Sequence, residues 1–223
     1  HDPTMTARFA HLQLHSEYSL ADSTVRIKEL VAAAKARGIP ALAVTDRNNL
    51  FALVKFFKAA ESAGIKPIAG ADLAIGLPGE PVHWLTLLCR DTGGYKALSR
   101  LISRAWMEGH RNDGVAIAPQ WLDAEDLSGL IAIAGRASAA GALLAMNRVD
   151  AAEAALREMH ARFGDRFNLA ITRSGRDGEE VRLAVVGGHE LQAHRQPGRI
   201  AADRQADRRA ARHRHRDRDL HPA

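Results

Sequence analysis

At 223 residues with 46% hydrophobic side chains, the chain is long enough for one sizeable domain and has the composition of a globular protein. No apolar run approaches the ~20 residues that span a bilayer, no basic-then-apolar leader opens the chain, and the single cysteine, Cys89, excludes an internal disulfide framework and fits a reducing cytoplasm. The net charge of +5 belongs to the end of the chain, where nine arginines stand against four aspartates between Ala193 and Ala223; residues 1–192 are neutral overall, so charge does not mark the body as a nucleic-acid binder.

In chain order, FAHLQLH alternates like a strand. VRIKELVAAAKARG follows with apolar residues at Val25, Ile27, Leu30, Val31 and Ala34, the spacing of a helix stopped at Gly38. ALAVTD reads as a buried strand and NLFALVKFFKAAESAG as a helix closing on Gly64. PIAGADLAI and VHWLTLLC are strands around the turn LPGE, and Cys89, inside LTLLC, reads as a buried thiol rather than a nucleophile. YKALSRLISRAW is a helix, GLIAIAG a strand, DAAEAALREMHARFG a long helix and RFNLAI a strand. Repeated βα units of this kind predict a parallel sheet or barrel with helices outside.

Beyond about Glu180 the pattern fails. LAVVGG could form one more strand, but the following stretch has no aromatic and few aliphatic residues and is expected to be disordered. Its arginines allow an electrostatic arm for nucleic acid; the stronger expectation is that the tail is not domain sequence at all.

Three stretches carry a family resemblance: RFAHLQLHSEYSLADS, IPALAVTDRNNLFALVKFFKAAESAGIKPIAGADL and LTLLCRDTGGYKALSRLISRAWMEG. Together, in order and over about Arg8 to Glu180, they resemble the N-terminal PHP (polymerase and histidinol phosphatase) domain of bacterial replicative DNA polymerase III α subunits. The resemblance implies a distorted barrel of seven parallel strands ringed by helices, here incomplete at the C-terminal end. It divides the chain into an extension over 1–7, a PHP domain over 8–180, and a tail over 181–223 that does not match the family. The Arg/Ala/His/Asp/Pro mixture of that tail is what an out-of-frame reading of GC-rich sequence gives, and HDPT stands ahead of Met5, so a truncated, frameshifted piece is expected.

The resemblance also fixes the question raised by HLQLHSEYSL. Relatives that keep a metal cluster start it with His-x-His; here Gln13-Leu14-His15 holds an amide in one place, and His11 lies two residues further back. The downstream acid is Asp22. The Thr-Asp-His motif reads Thr45-Asp46-Arg47, and an arginine, always protonated, donates no lone pair to a metal. The acid of the GxE motif is Asp72. The histidine before LTLL falls on Trp84, with His83 one residue early; a later ligand position holds Arg136, and another lies near Ser174. His15, Asp22 and Asp72 are the residues that could still touch a metal, while Arg47 and Arg136 are expected to pair with Asp22, Asp46 or Asp72 in a self-neutralised, decayed site with no catalytic residue. Glu17 and Tyr18 are expected to shape the loop, Trp84 and Trp106 to anchor the core, His110 to sit in a loop and His160 on a helix surface.

The implied role is that of a cytoplasmic, membrane-free part of a DNA-directed DNA polymerase. This part acts as scaffold and as the docking module for the proofreading exonuclease (ε) subunit, among the other holoenzyme subunits. It needs no cofactor of its own; Mg2+ and DNA belong to the full polymerase. The competing readings are a metal-dependent phosphoesterase or 3′–5′ exonuclease, and a nucleic-acid-binding module using the arginine tail.

Overall fold

The structure, a computed structural model, describes residues 9–171. The expectations for the 1–7 extension, for LAVVGG, for the position near Ser174 and for the basic tail lie outside the described residues. Among the described residues five α-helices and seven strands follow one another as α1 (Ile27–Ala36), β1 (Ala41–Arg47), α2 (Leu53–Ser62), β2 (Lys66–Ile75), β3 (His83–Cys89), α3 (Thr92–Glu108), β4 (His110–Arg111), β5 (Gly114–Val115), β6 (Leu130–Ala134), α4 (Ala139–Ala145), α5 (Val149–Phe163) and β7 (Phe167–Leu169).

Periodicity accounts for the long helices. In α1 the buried residues are Ile27, Val31 and Ala34, one face of a 3.6-residue turn, and Val25 falls ahead of the helix and is exposed. Gly38 and Gly64, at φ +65 and +74, take the left-handed conformation that ends α1 and α2. Helix α2 starts four residues later than its apolar pattern suggests, because two asparagines hold the preceding turn. Asn48, at φ +50, donates to the Val115 carbonyl (2.9 Å) and accepts from the Ala74 amide (2.9 Å), and Asn49 accepts from the Phe51 amide (3.1 Å).

The main sheet has the order β1-β2-β3-β6-β7. β1 with β2 and β6 with β7 are parallel, but β3 runs antiparallel to both its neighbours, so the all-parallel expectation fails there. The cause is the connection: β2 and β3 are joined by the short turn at 76–82, which has no helix with which to cross over, and a hairpin reverses the strand. The result is a mixed α/β fold whose β1, β2, β6 and β7 point one way. β4 and β5 form a separate two-stranded hairpin and α4 is a short additional helix; none of the three was expected from the sequence.

FAHLQLH is not a regular strand. His11 and Leu14 carbonyls accept from Ala43 and Thr45 (both 2.8 Å), so the segment advances three residues while β1 advances two. A bulge of this kind reverses which face the side chains take. It sets His11, whose ring meets Phe9 edge-on at 4.7 Å, out of phase with Gln13 and His15.

One face of the sheet is covered by helices. Leu42 and Val44 pack with Ile27, Val31, Phe56 and Ala60 of α1 and α2, and Leu73, Leu85 and Leu87 pack with Leu98, Leu101 and Ala105 of α3. The alternate residues Ala43, Leu88 and Ile133 make a small cluster on the other face, which also carries Thr45, Asp72, Trp84 and Thr86. Cys89, at the end of β3, is half-buried; burial first and Asp91 second push its thiol up to about 11. The folded chain should therefore react slowly with a thiol reagent at pH 8, and unfolding in guanidinium should restore a free-cysteine rate; equal rates in both states would contradict the burial.

Candidate functional site

The polar end of the sheet face opposite the helices gathers residues from four places: the 13–24 segment, the end of β1, β2 and the start of β3. Arg47, Asp72 and Thr86 are placed there by register, since Arg47 pairs with Asp72 across the parallel ladder and Asp72 with Thr86 across the antiparallel one. Their contacts form a continuous chain. The Gln13 amide Nε2 donates to Thr86 Oγ1 (2.6 Å), and Thr86 Oγ1 donates in turn to Asp72 Oδ1. Asp72 Oδ2 faces His15 Nε2 at 2.7 Å, and His15 Nδ1 lies 3.9 Å from Asp22 Oδ2. Asp22 Oδ2 is 2.7 Å from Arg47 Nε, and the Arg47 guanidinium lies 4.3 Å over the centre of the Trp84 ring. The Arg47–Asp22 contact is an ion pair by distance, but the buried Nε–H is not aligned on the carboxylate, so charge rather than a directed hydrogen bond holds it. The ring beneath adds a cation–π attraction of about 0.5–1 kcal/mol.

Asp46 does something else. It is buried, and its carboxylate accepts from the Ser16 amide (2.7 Å), Ser16 Oγ (2.6 Å) and Ser19 Oγ (2.7 Å). Its oxygens are thus committed to the loop that begins at Ser16, which is closed further on by the Glu17 amide on the Val25 carbonyl (2.8 Å). The Ser19 hydroxyl also accepts from the Arg47 amide (3.1 Å). Ser16, Ser19 and Thr86 were missed as site residues; the spacing Ser-x-x-Ser after His15, and the alternation that puts Thr86 on the face of Trp84, were the available signals.

Two positions do not join this group. Arg136 is exposed in the turn after β6 and makes no ion pair among the described residues, so of the two expected arginine pairings only that of Arg47 forms. The turn carries it past the sheet end. His83 lines a mostly apolar cavity of about 410 Å³ between β3, α4 and α5, together with Trp84, Leu156, Met159 and Phe167. Trp84 is a platform for Arg47 rather than a core anchor, and Trp106 is 49% exposed, with Nε1 donating to the Asn48 carbonyl at 2.8 Å. Both depart from the expected burial because each ring has a polar partner at the surface. His110 begins β4 and His160 lies on the exposed side of α5. Glu17 pairs with Lys55 at 2.7 Å, whose ammonium stands over the Tyr18 ring.

The charges close on themselves. Asp22 and Asp72 face His15 and Arg47, and the hydrogen bond that His15 donates to the Asp72 carboxylate outweighs the penalty of burial and raises the His15 pKa above its ordinary 6.5. The imidazolium therefore favours the folded state; that stabilisation is complete below about 6.5 and is lost as pH rises through the higher folded pKa. A His15 NMR titration should give a value above 6.5 that falls in Asp72→Asn and rises in Arg47→Ala, since Arg47 opposes the proton; a wild-type value at or below 6.5 would contradict the geometry.

A multinuclear metal cluster does not fit these residues. It requires converging lone pairs, whereas here a guanidinium and a primary amide hold two of the positions and His15 is turned onto Asp72. Among the described residues no group of three or more His, Cys, Asp or Glu side chains is arranged to hold an ion. No described helix is long and apolar enough to cross a membrane.

Comparison with known proteins gives a consistent family. The PHP domain family matches residues 11–174. The DNA polymerase III subunit alpha of Xylella fastidiosa (strain Temecula1) is 52% identical over 190 residues, which cover 78% of this chain and 16% of that protein. The protein of the same name from Escherichia coli K12 is 40% identical over 179 residues, 79% of this chain and 15% of that protein. An amidohydrolase structure from Chromobacterium violaceum is 24% identical over 43% of this chain and 32% of its own, with a TM-score of 0.36, too small an overlap to argue from. The chain thus spans about one sixth of the length of the curated relatives it matches.

Proposed function

The chain belongs to the PHP domain family, and from that premise we propose that it is the N-terminal domain of a DNA polymerase III α subunit, serving as scaffold and not as hydrolase. The observation that carries this reading is the position of Arg47. Its guanidinium lies between Asp22 and Trp84 where the family motif would place a ligand histidine, and a fixed cation there repels the divalent ions that a phosphoesterase needs.

In this reading the sheet is part of a distorted seven-stranded barrel, with the domain running over 8–180 and the tail over 181–223 outside it. DNA synthesis with Mg2+ belongs to the five sixths of the relatives' length that the chain does not span, and the domain's partners are the proofreading exonuclease subunit and the rest of a cytoplasmic replicative holoenzyme. A compensated, hydrogen-bonded pocket suits such a role, because it fixes the 13–24 segment against the sheet without any ion.

The test is hydrolysis. The purified chain, incubated with Mn2+ or Zn2+ and a 3′-labelled single strand or a phosphomonoester, should show no rate above metal alone. It should co-elute with the exonuclease subunit from the same source. A metal-dependent rate that disappears in both His15→Ala and Asp72→Ala would put a phosphoesterase or 3′–5′ exonuclease in place of this reading.

A further inference from the structure

The cavity between β3, α4 and α5 adjoins the Arg47 pocket through one shared wall, Trp84, whose ring carries the Arg47 guanidinium. It holds about 410 Å³, inside the range of small-molecule sites. A compact space of that volume is about 9 Å across, narrower than a helix with its side chains. Its walls are tied in place. Arg111 donates to the Leu77 and Glu80 carbonyls and so fastens the 76–82 turn at the rim to the β4–β5 hairpin. On the α4 side the Trp84 amide donates to the Ala137 carbonyl (2.9 Å), and Ser138 caps the helix by accepting from the Gly141 amide (3.2 Å). Pre-formed walls of this kind lower the cost of ordering a ligand.

The lining sets what fits. Leu85, Leu156, Met159 and Phe167, with Trp84, make a mostly apolar interior that suits a flat apolar body. Four further polar side chains line it, and two of them are already committed. The Ser138 hydroxyl donates to the Gly135 carbonyl (2.7 Å), and Glu158 pairs with Arg162 (2.6 Å). Glu80 and His83 have no side-chain hydrogen bond or ion pair among the described residues. A carboxylate only accepts, and a neutral imidazole keeps one accepting nitrogen, so the two uncommitted groups are matched by a donor. We propose that this cavity binds a small aromatic amine, its one or two rings beside Trp84 and Phe167 and its amino group donating to Glu80 and His83. The proposal stands on the cavity alone and is independent of the scaffold role.

Tryptamine and indole-3-acetate, which share a ring and differ in the end group, test it by titration calorimetry with the whole chain. Tryptamine should bind at one site per chain, at least about tenfold tighter than indole-3-acetate. Glu80→Gln, at an exposed position, should cut that preference to about threefold or less and leave the thermal midpoint unchanged. Ala155→Phe, which fills the cavity, should abolish binding of both ligands with a midpoint no lower than the parent's. No saturable tryptamine binding, equal affinity for the two ligands, or tryptamine binding that Ala155→Phe retains overturns the proposal. So does a tenfold gain in tryptamine affinity in Val185→Asp, which would give the space to an apolar run of the chain itself.

Discussion

Asp46→Ala should destabilise the fold by about 3–5 kcal/mol, the sum expected when several buried donors lose one shared acceptor. Ser16 is fully buried and Ser19 nearly so, and the Ser16 amide and both hydroxyls point at this carboxylate. With alanine there, three donors are stranded without water, and the loop that carries Asp22 loses its tie to the end of β1. Asp46→Asn keeps one oxygen acceptor and should fall between the two. Chemical denaturation reads the difference directly. A loss below about 1 kcal/mol for Asp46→Ala, the worth of a single ordinary hydrogen bond, would mean that the loop is not held as described.

Gly94→Ala should cost about 3 kcal/mol or more, at the upper end for overpacking, because the obstacle is backbone. Gly94 lies in the first turn of α3, where a Cβ would stand 1.9 Å from the Gly129 carbonyl oxygen and 2.5 Å from its carbon. Neither partner has room to retreat. The same Gly129 oxygen accepts from the Arg90 amide (2.8 Å), and Asp91 caps the helix by accepting from the Gly94 amide (2.9 Å). A Cβ on Gly129 would in turn stand 2.3 Å from both that cap oxygen and the Gly94 nitrogen. Separating the two segments moves α3, which supplies Leu98, Leu101 and Ala105 to the larger core, away from the sheet. A thermal midpoint for Gly94→Ala within a degree or two of the parent would show that the crossing is looser than this.

What could be read without coordinates follows from how local each cause is. Helices α1, α3 and α5 and strands β1, β2, β3 and β6 are written in short-range periodicity, and their positions were legible. Direction was less so: β3 reads as another buried apolar strand whichever way it runs, and only the length of the 76–82 connection sets its sense. Helix α4, with the sequence AAGALLA, lacks a polar face from which to take a period, and strands of two residues such as β4 and β5 have no alternation to detect. The family motifs singled out Gln13, His15, Asp22, Arg47 and Asp72, side chains that the structure links in one chain of contacts. They said nothing of Asp46 binding two serines, of Arg47 lying on Trp84, or of Arg136 standing clear, since each depends on how a loop packs rather than on residue type.

The single guanidinium of Arg47 and the hydrogen-bonded chain from Gln13 to Asp72 are expected to keep divalent ions out of this pocket. Equilibrium dialysis of the whole chain against Mn2+, followed by elemental analysis, measures this most directly. Well below one ion per chain, unchanged in His15→Ala and Asp72→Ala, is the expected result. Two or more ions per chain, lost together in those two variants, would contradict the account.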